Sequence, residues 1–218
     1  LRQPVQALAL FVDDLRREPS LTPGAHATTI EALSRTAGAM RAMLEALLDI
    51  SRFDAGLVVP APGVVALGPL LDGIVTGLEP EAARRDVILH VMGRARAVHA
   101  DPTLLSRAVM NLVTNAIRHG GPGRVLIAVR DRGDVIAIQV WDQGPGISEA
   151  ERVRVFDEYV QLDNRERDRQ KGLGLGLSLV KRICATSGFG LTMRSHEGRG
   201  SMFELTVPRA VSDAPDVA

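Results

Sequence analysis

The chain of 218 residues has little cysteine, few aromatic residues and no excess of either charge. Its single cysteine, Cys184, excludes an intrachain disulfide and is typical of proteins from reducing compartments. Lysine plus arginine and aspartate plus glutamate both total 26, and this balance disfavours broad electrostatic binding to nucleic acid or to an anionic membrane. Because aromatic residues make up only 3%, a buried core must consist mainly of aliphatic side chains and alanine.

Long apolar runs are also missing from the sequence. No stretch reaches the roughly 18 apolar residues that a membrane-spanning helix requires, and there is no signal-peptide pattern. We therefore expect a cytoplasmic protein that would meet a membrane only through parts outside this chain. Hydrophobic residues still make up 45%, which is enough for an ordinary core and disfavours wholesale disorder.

Two stretches near the start repeat apolar residues in the heptad pattern of packed helices. The first runs from Leu1 to Leu15 and the second from Ile30 to Leu47, while "EPSLTPG" between them predicts a turn. A lone helical hairpin buries each apolar stripe on one side only, so residues 1–52 are predicted to form a homodimeric four-helix bundle. The alternative is that the hairpin packs on the C-terminal part of its own chain.

The rest of the chain is predicted to form a second domain. A stretch rich in proline and glycine, residues 53–66, is predicted to be a linker, and residues 67–208 mix helical and strand periodicity with two hairpin signals. The predicted fold class is α+β: the dimeric helical bundle is followed by an α/β sandwich in which a mixed sheet carries helices on one face. Residues 209–218 are predicted to be a disordered tail.

Four short clusters carry residues with useful chemistry, and the first is "NLVTNAIRH". At about 100° per residue, Asn111, Asn115, Arg118 and His119 fall within one helical stripe. Carboxamide oxygens are hard ligands that suit Mg²⁺, and a cation beside them suits phosphate. The alternative is an ordinary solvated helix face, and most stripes of this kind are such faces.

The second cluster, "DQGPGIS", follows a predicted strand. It places Asp142 at the end of the strand, with Gly144 and Gly146 in the loop that follows. A carboxylate there could accept a hydrogen bond from the amine of a purine, and the glycines would let the base approach the backbone. An ordinary turn produces the same letters.

The third and fourth clusters are rich in glycine. "KGLGLGLSLV" alternates Gly172, Gly174 and Gly176 just before a predicted helix, whose first amides could bind phosphate. The spacing fits neither a Rossmann fingerprint nor a P-loop. "EGRGSMF", taken alone, fits a hairpin turn.

The order and spacing of the four clusters are far more specific than any one of them. Together they resemble the catalytic ATP-binding domain of sensor histidine kinases, whose fold is shared with DNA gyrase, the MutL repair proteins and a heat-shock chaperone family. "NLVTNAIRH" resembles the N box, "FDEY" the F box, and "DQGPGI", "KGLGLGL" and "GRGSMF" the three glycine boxes. The hairpin, which ends in "LLDISRFDAG", resembles the dimerisation and phosphotransfer domain, so the resemblance covers nearly all of residues 1–208.

This resemblance implies a site for ATP and Mg²⁺. Asn115 would coordinate Mg²⁺ with Asn111 close to the metal, and Arg118 would reach the terminal phosphates. Asp142 would bind the adenine amine, and His119 would lie against the nucleotide. Phe156 and Tyr159 would anchor a lid over residues 157–173, which we expect to be mobile. The remaining residues implied in nucleotide binding shape the base pocket and the lid: Gly144, Gly146, Lys171, Gly172, Gly174 and Gly176.

The first four residues, "LRQP", resemble the end of the family's phosphoacceptor motif, His-Asp/Glu-Leu-Arg/Lys-x-Pro. By this resemblance the acceptor histidine would lie two positions before Leu1, so we expect residues 1–218 alone not to autophosphorylate. Gln3 would then be placed to orient water for a phosphatase reaction, or would be an ordinary exposed helix residue.

The implied reaction is transfer of the γ-phosphoryl group from ATP to a histidine, and then to an aspartate of a response-regulator receiver domain. Two alternatives stay open. One is a dimeric scaffold that senses nucleotide without transferring phosphate. The other is a non-kinase ATPase of the same fold, which the helical hairpin in front of the ATP-binding domain disfavours.

Overall fold

The computed structural model describes residues 23–94, 96–158, 160 and 174–210. The chain divides into two compact units, Leu1–Ser51 and Arg52–Ala218. Several predictions lie outside the described residues: the first helix of the hairpin with Gln3, most of the lid with Tyr159, Lys171 and Gly172, and the tail from residue 211 onward. None of the described helices is both long and apolar enough to cross a membrane.

The described part of the first unit belongs to one long helix, α1 (Pro23–Asp54), whose last three residues are part of the second unit. It corresponds to the predicted second helix of the hairpin and begins at a proline, which is favoured in the first turn of a helix. Ile30, Leu44 and Leu48 are 55%, 45% and 59% exposed, so apolar side chains remain accessible along α1.

The second unit contains all the described strands and the other helices. In chain order these are β1 (Gly63–Ala66), α2 (Leu67–Ala83), β2 (Val87–Met92), β3 (Ala97–Ala100), α3 (Pro102–His119), β4 (Gly123–Asp131), β5 (Val135–Trp141), two short 3₁₀ helices (Glu149–Glu151 and Arg154–Phe156), α4 (Gly176–Ser187), β6 (Gly190–Ser195) and β7 (Ser201–Pro208). Both predicted hairpins are present, as β4–β5 and β6–β7.

Five of these strands form one mixed sheet in the order β2-β4-β5-β7-β6. Strand β2 pairs parallel with β4, and the other neighbours pair antiparallel. Every second residue faces the helices, so Ile127, Ile138 and Leu205 are fully buried in the same apolar core as Leu105 and Leu112 of α3. The predicted α/β sandwich, a mixed sheet with helices on one face, is confirmed.

The interval 53–66, predicted as a linker, contains more regular structure than its composition indicated. Helix α1 runs on to Asp54, and β1 at the far end pairs antiparallel with β3 in a separate two-stranded sheet. The backbone N–H of Ala61 donates to Asp101 at the start of α3 over 2.9 Å. A strand of four residues that follows two prolines is too short to show an alternating pattern, which is why the sequence did not reveal it.

Candidate nucleotide-binding site

Helix α3 is the element around which the four clusters assemble. Asp101 caps it: one carboxylate oxygen accepts hydrogen bonds from the N–H groups of Thr103 and Leu104 over 2.9 and 3.0 Å, and Pro102 occupies the first turn. One face of the helix is buried through leucine, valine, isoleucine and alanine residues. The stripe of polar residues therefore lies along the edge that the core leaves open.

One end of the site forms where α3 meets the start of α4. The side-chain amide of Asn111 donates to the carbonyl of Arg107 over 2.8 Å, and this bond fixes the orientation of the carboxamide. Its Oδ1 then faces Gly176, where an added Cβ would lie only 3.1 Å away. A hard oxygen ligand thus lies beside the N-terminus of a helix, a combination that suits a metal-bound phosphate.

The other end of the site centres on Asp142, directly after β5. Its Oδ1 accepts hydrogen bonds from the N–H groups of Gly144 and Ser201 over 2.9 and 3.1 Å. In the described part of the chain, Oδ2 has no hydrogen-bond partner. Burial raises the pKa of the Asp142 carboxyl, although the two backbone hydrogen bonds act to lower it. The carboxylate is therefore held by one oxygen and presents the other as an acceptor.

Glycines allow the loops at this end to approach each other closely. A Cβ at Gly144 would lie 2.6 Å from the carbonyl oxygen of His119 and 3.0 Å from Oδ1 of Asp142. Gly146 and Gly200 have φ of +74° and +82°, and a Cβ at either would overlap a carbonyl oxygen, that of His196 or Asp142 respectively. The second and fourth clusters, "DQGPGIS" and "EGRGSMF", therefore pack together at the C-terminus of α3, where only glycine fits.

The two ends of the site are about 12 Å apart along α3, since Asn111 and His119 are eight residues apart and the rise is roughly 1.5 Å per residue. Asn115 is half-buried between them. This separation leaves room for a nucleotide that lies along the stripe of Asn111, Asn115 and Arg118 with its base at Asp142. Among the described residues no group of three or more His, Cys, Asp or Glu could hold a metal ion. The stripe offers Mg²⁺ the carboxamide oxygens of Asn111 and Asn115.

Arg118 makes a contact that the sequence analysis missed. Its Nε donates to Oε1 of Glu81 on α2 over 2.7 Å, and Nη2 donates to Oε2 over 3.4 Å. Glu81 belongs to none of the four clusters, and strands β2 and β3 separate it in sequence from the helix that carries Arg118. No local pattern therefore identifies it.

The remaining predicted residues of the site are placed as follows. His119 is exposed at the end of α3. Gly174 has a φ of +68°, a conformation that favours glycine. Phe156 packs edge to face on Phe203 of the sheet, with ring centroids 6.2 Å apart, and this contact fixes the chain just before the predicted lid.

Comparison with known proteins agrees with this geometry. Residues 100–211 match the family described as "Histidine kinase-, DNA gyrase B-, and HSP90-like ATPase". The adaptive-response sensory kinase SasA of a Synechococcus species is 30% identical over 215 residues, which cover 95% of this chain and 56% of SasA. The chain thus spans about half the length of that relative, and 24% of the circadian input-output histidine kinase CikA of Synechococcus elongatus.

Solved structures show the same fold. The histidine kinase AdeS of Acinetobacter baumannii superposes with a TM-score of 0.77 at 16% identity, covering 97% of this chain and 98% of AdeS. The histidine kinase ThkA, in complex with the response regulator protein TrrA, gives a TM-score of 0.74 at 19% identity and covers 96% of this chain and 58% of ThkA.

The matched family segment contains all four clusters that meet around α3, and it covers just over half of the chain. The similarity to SasA extends over the helical region as well. The chain therefore belongs to the family of histidine kinase-, DNA gyrase B- and HSP90-like ATPases, as a histidine kinase-like ATPase domain of the kind found in two-component sensor kinases.

Proposed function

We propose that this chain is the kinase core of a two-component sensor histidine kinase, which binds Mg-ATP and transfers its γ-phosphoryl group to a histidine. The observation that carries the proposal is the pair of complementary ends of the site. Asp142 presents an acceptor where an adenine amine would lie, and Asn111 presents an oxygen beside the N-terminus of α4 where phosphates would lie.

The residues of the site have distinct tasks in this proposal. Oδ2 of Asp142 accepts a hydrogen bond from the adenine amine, while Gly144 and Gly146 let the base approach the backbone. Asn115 and Asn111 would hold Mg²⁺ through their carboxamide oxygens, and the metal supplies charge neutralisation on the phosphates. Arg118 adds a positive charge for the terminal phosphate. Catalysis then rests on positioning and electrostatic stabilisation.

The phosphoryl acceptor in this proposal is a histidine two positions before Leu1, as the resemblance of "LRQP" implies. A nitrogen of that imidazole attacks the γ-phosphorus and ADP leaves with the bridging oxygen. The acidic residue after the histidine keeps one ring nitrogen protonated so that the other can attack. Gln3 would lie one helical turn further on and would orient water for dephosphorylation.

The partners in this proposal are a second copy of the chain and a response-regulator receiver domain. The heptad pattern of residues 1–52 and the exposed apolar side chains on α1, such as Leu44 and Leu48, support dimerisation. The named complex of ThkA with the response regulator TrrA, a kinase of the same fold, supports a receiver domain as the next phosphate acceptor.

The test uses γ-labelled ATP with two forms of the protein, residues 1–218 and the same chain extended by His-Asp ahead of Leu1. We expect acid-labile label on the extended form only. In the extended form, Asn115→Asp should abolish labelling by altering the metal site while leaving the dimer intact. Labelling of the shorter form on one of its own five histidines would show that the acceptor is misassigned. An extended form that binds Mg-ATP and stays unlabelled would favour a nucleotide-sensing scaffold.

A further inference from the structure

The pair between Glu81 and Arg118 joins the last turns of two neighbouring helices. Helices α2 and α3 precede strands β2 and β4, which run parallel with Val87 opposite Gly123. This arrangement brings the ends of the two helices side by side, and Glu81 there holds Arg118 through Nε and Nη2. The side chains are 22% and 37% exposed, so the pair is only partly screened by water.

Arg118 is the residue of this pair that belongs to the candidate site. At about 100° per residue, Asn111, Asn115 and Arg118 lie within about 60° of each other around α3. A guanidinium has five N–H donors, and the two contacts with Glu81 leave three of them for another anion. The same cation thus faces a fixed carboxylate while it lies on the stripe that the nucleotide would follow.

A role in stability alone gives a weak reason for this pair. An ion pair with this exposure contributes little to folding, and α2 is already held by buried apolar residues such as Leu71 and Ile74. Glu81 also acts on anion binding, because a carboxylate in direct contact with a cation cancels much of the field that the cation offers to a phosphate.

We propose that Glu81 is a positioning residue that competes with the terminal phosphate of ATP for Arg118. By this competition it lowers the preference of the site for ATP over ADP. The proposal rests on the function proposed above, in which Arg118 meets the terminal phosphate. With Glu81 in place, part of the positive field of Arg118 is already cancelled when ATP binds, even though three N–H donors remain for the phosphate. Removing the carboxylate charge leaves Arg118 fully available to the nucleotide.

The test measures the affinities for Mg-ATP and Mg-ADP by calorimetry in the wild-type chain, Glu81→Gln, Arg118→Gln and the double variant. Glu81→Gln should tighten ATP binding about two- to fivefold, the range that corresponds to a partly exposed ion pair, and should change ADP binding less. Arg118→Gln should weaken ATP towards the affinity for ADP. In the double variant the effect of Glu81→Gln should vanish, because Glu81 acts only through Arg118.

The matched control is Asp72→Asn. Asp72 lies on the same helix and pairs with Arg94 over 3.3 Å, so this variant makes the same charge change away from the site. It should leave both affinities unchanged. Thermal unfolding of each variant reports whether the fold persists, and Glu81→Ala, which removes the contact entirely, should change the ATP affinity in the same direction.

Three outcomes would overturn the inference. Equal weakening of ATP and ADP by Glu81→Gln would mean that Glu81 only joins the two helices. Tightening that persists in the Arg118→Gln background would mean that Glu81 acts on the nucleotide by another route. The third outcome is that Arg118→Gln leaves the ratio of ATP to ADP affinity unchanged while Asp142→Asn still weakens the binding of both nucleotides. Arg118 would then not contact the phosphates, but the proposed nucleotide site would stand.

Discussion

Asp142 offers the sharpest test of the proposed nucleotide site. The change is Asp142→Asn, which keeps the shape of the side chain. The N–H groups of Gly144 and Ser201 both donate to Oδ1, so they will select the amide oxygen of the asparagine at that position. The amide nitrogen must then occupy the position of Oδ2. A donor will face the adenine amine, which is itself a donor, in place of an acceptor.

The size of the effect follows from that reversal. A hydrogen bond to a charged group contributes about 1.5–3 kcal/mol, so its loss should weaken ATP binding by about tenfold to 150-fold. The purine preference should change as well. Inosine triphosphate carries a carbonyl where ATP carries the amine, and the new amide donor would complement that oxygen. The ratio of ATP to inosine triphosphate affinity should therefore fall further than the ATP affinity alone.

Calorimetric titration of the wild-type chain and of Asp142→Asn with both nucleotides measures this prediction. Asp134→Asn is the matched control, because Asp134 is an exposed carboxylate just before the opposite end of the same strand, β5. It should leave both affinities unchanged. An unaltered ATP affinity in Asp142→Asn would refute the assignment of the base pocket, and an equal loss in the control would show an effect of charge alone.

Three further predictions concern stability and assembly. Gly146→Ala and Gly133→Ala both place a side chain at positive φ, which alone lowers the free energy of unfolding by about 1–2 kcal/mol. Gly146→Ala should be the more destabilising of the two in thermal unfolding, because its Cβ would also overlap a carbonyl oxygen and that of Gly133 would not. Leu44→Glu should convert a dimer of residues 1–218 into monomers in a mass measurement by placing a charge in the bundle. Since burial raises the pKa of Asp142, its contribution to stability is present at low pH and lost as pH rises, so Asp142→Asn should gain stability relative to wild type from about pH 4 upward, as pH-dependent denaturation would show.

The sequence predicts the architecture well where its signals are local. The alternation in "RVLIAVRD" and "VIAIQVW" predicts two strands, and the structure pairs them as β4 and β5. The same holds for β6 and β7. Strand β1 escaped notice because four residues carry too little periodicity, and its identity depends on pairing with β3 more than thirty residues later.

In the candidate site too, local patterns predict the residues but not the contacts between them. Its glycine clusters and the stripe of α3 are sequence patterns, so the residues could be named before their positions were known. The choice of Oδ1 of Asp142 as the bonded oxygen, the close approach of Asn111 to Gly176 and the pairing of Arg118 with Glu81 are tertiary facts. No pattern within a single element contains them, because each joins elements that the chain separates widely.

The places where local rules are broken support the location of the site independently of any resemblance. Asp142 is a carboxylate whose burial raises its pKa, and Gly146 and Gly200 in the neighbouring loops have positive φ values that other residues avoid. A fold selected only for stability would replace that carboxylate with a neutral side chain. Here the buried carboxylate lies at one end of α3, and one of its oxygens is left without a hydrogen-bond partner in the described structure. The buried carboxylate and its unused oxygen are explained together if a ligand with a hydrogen-bond donor completes the site, and an adenine amine is such a donor.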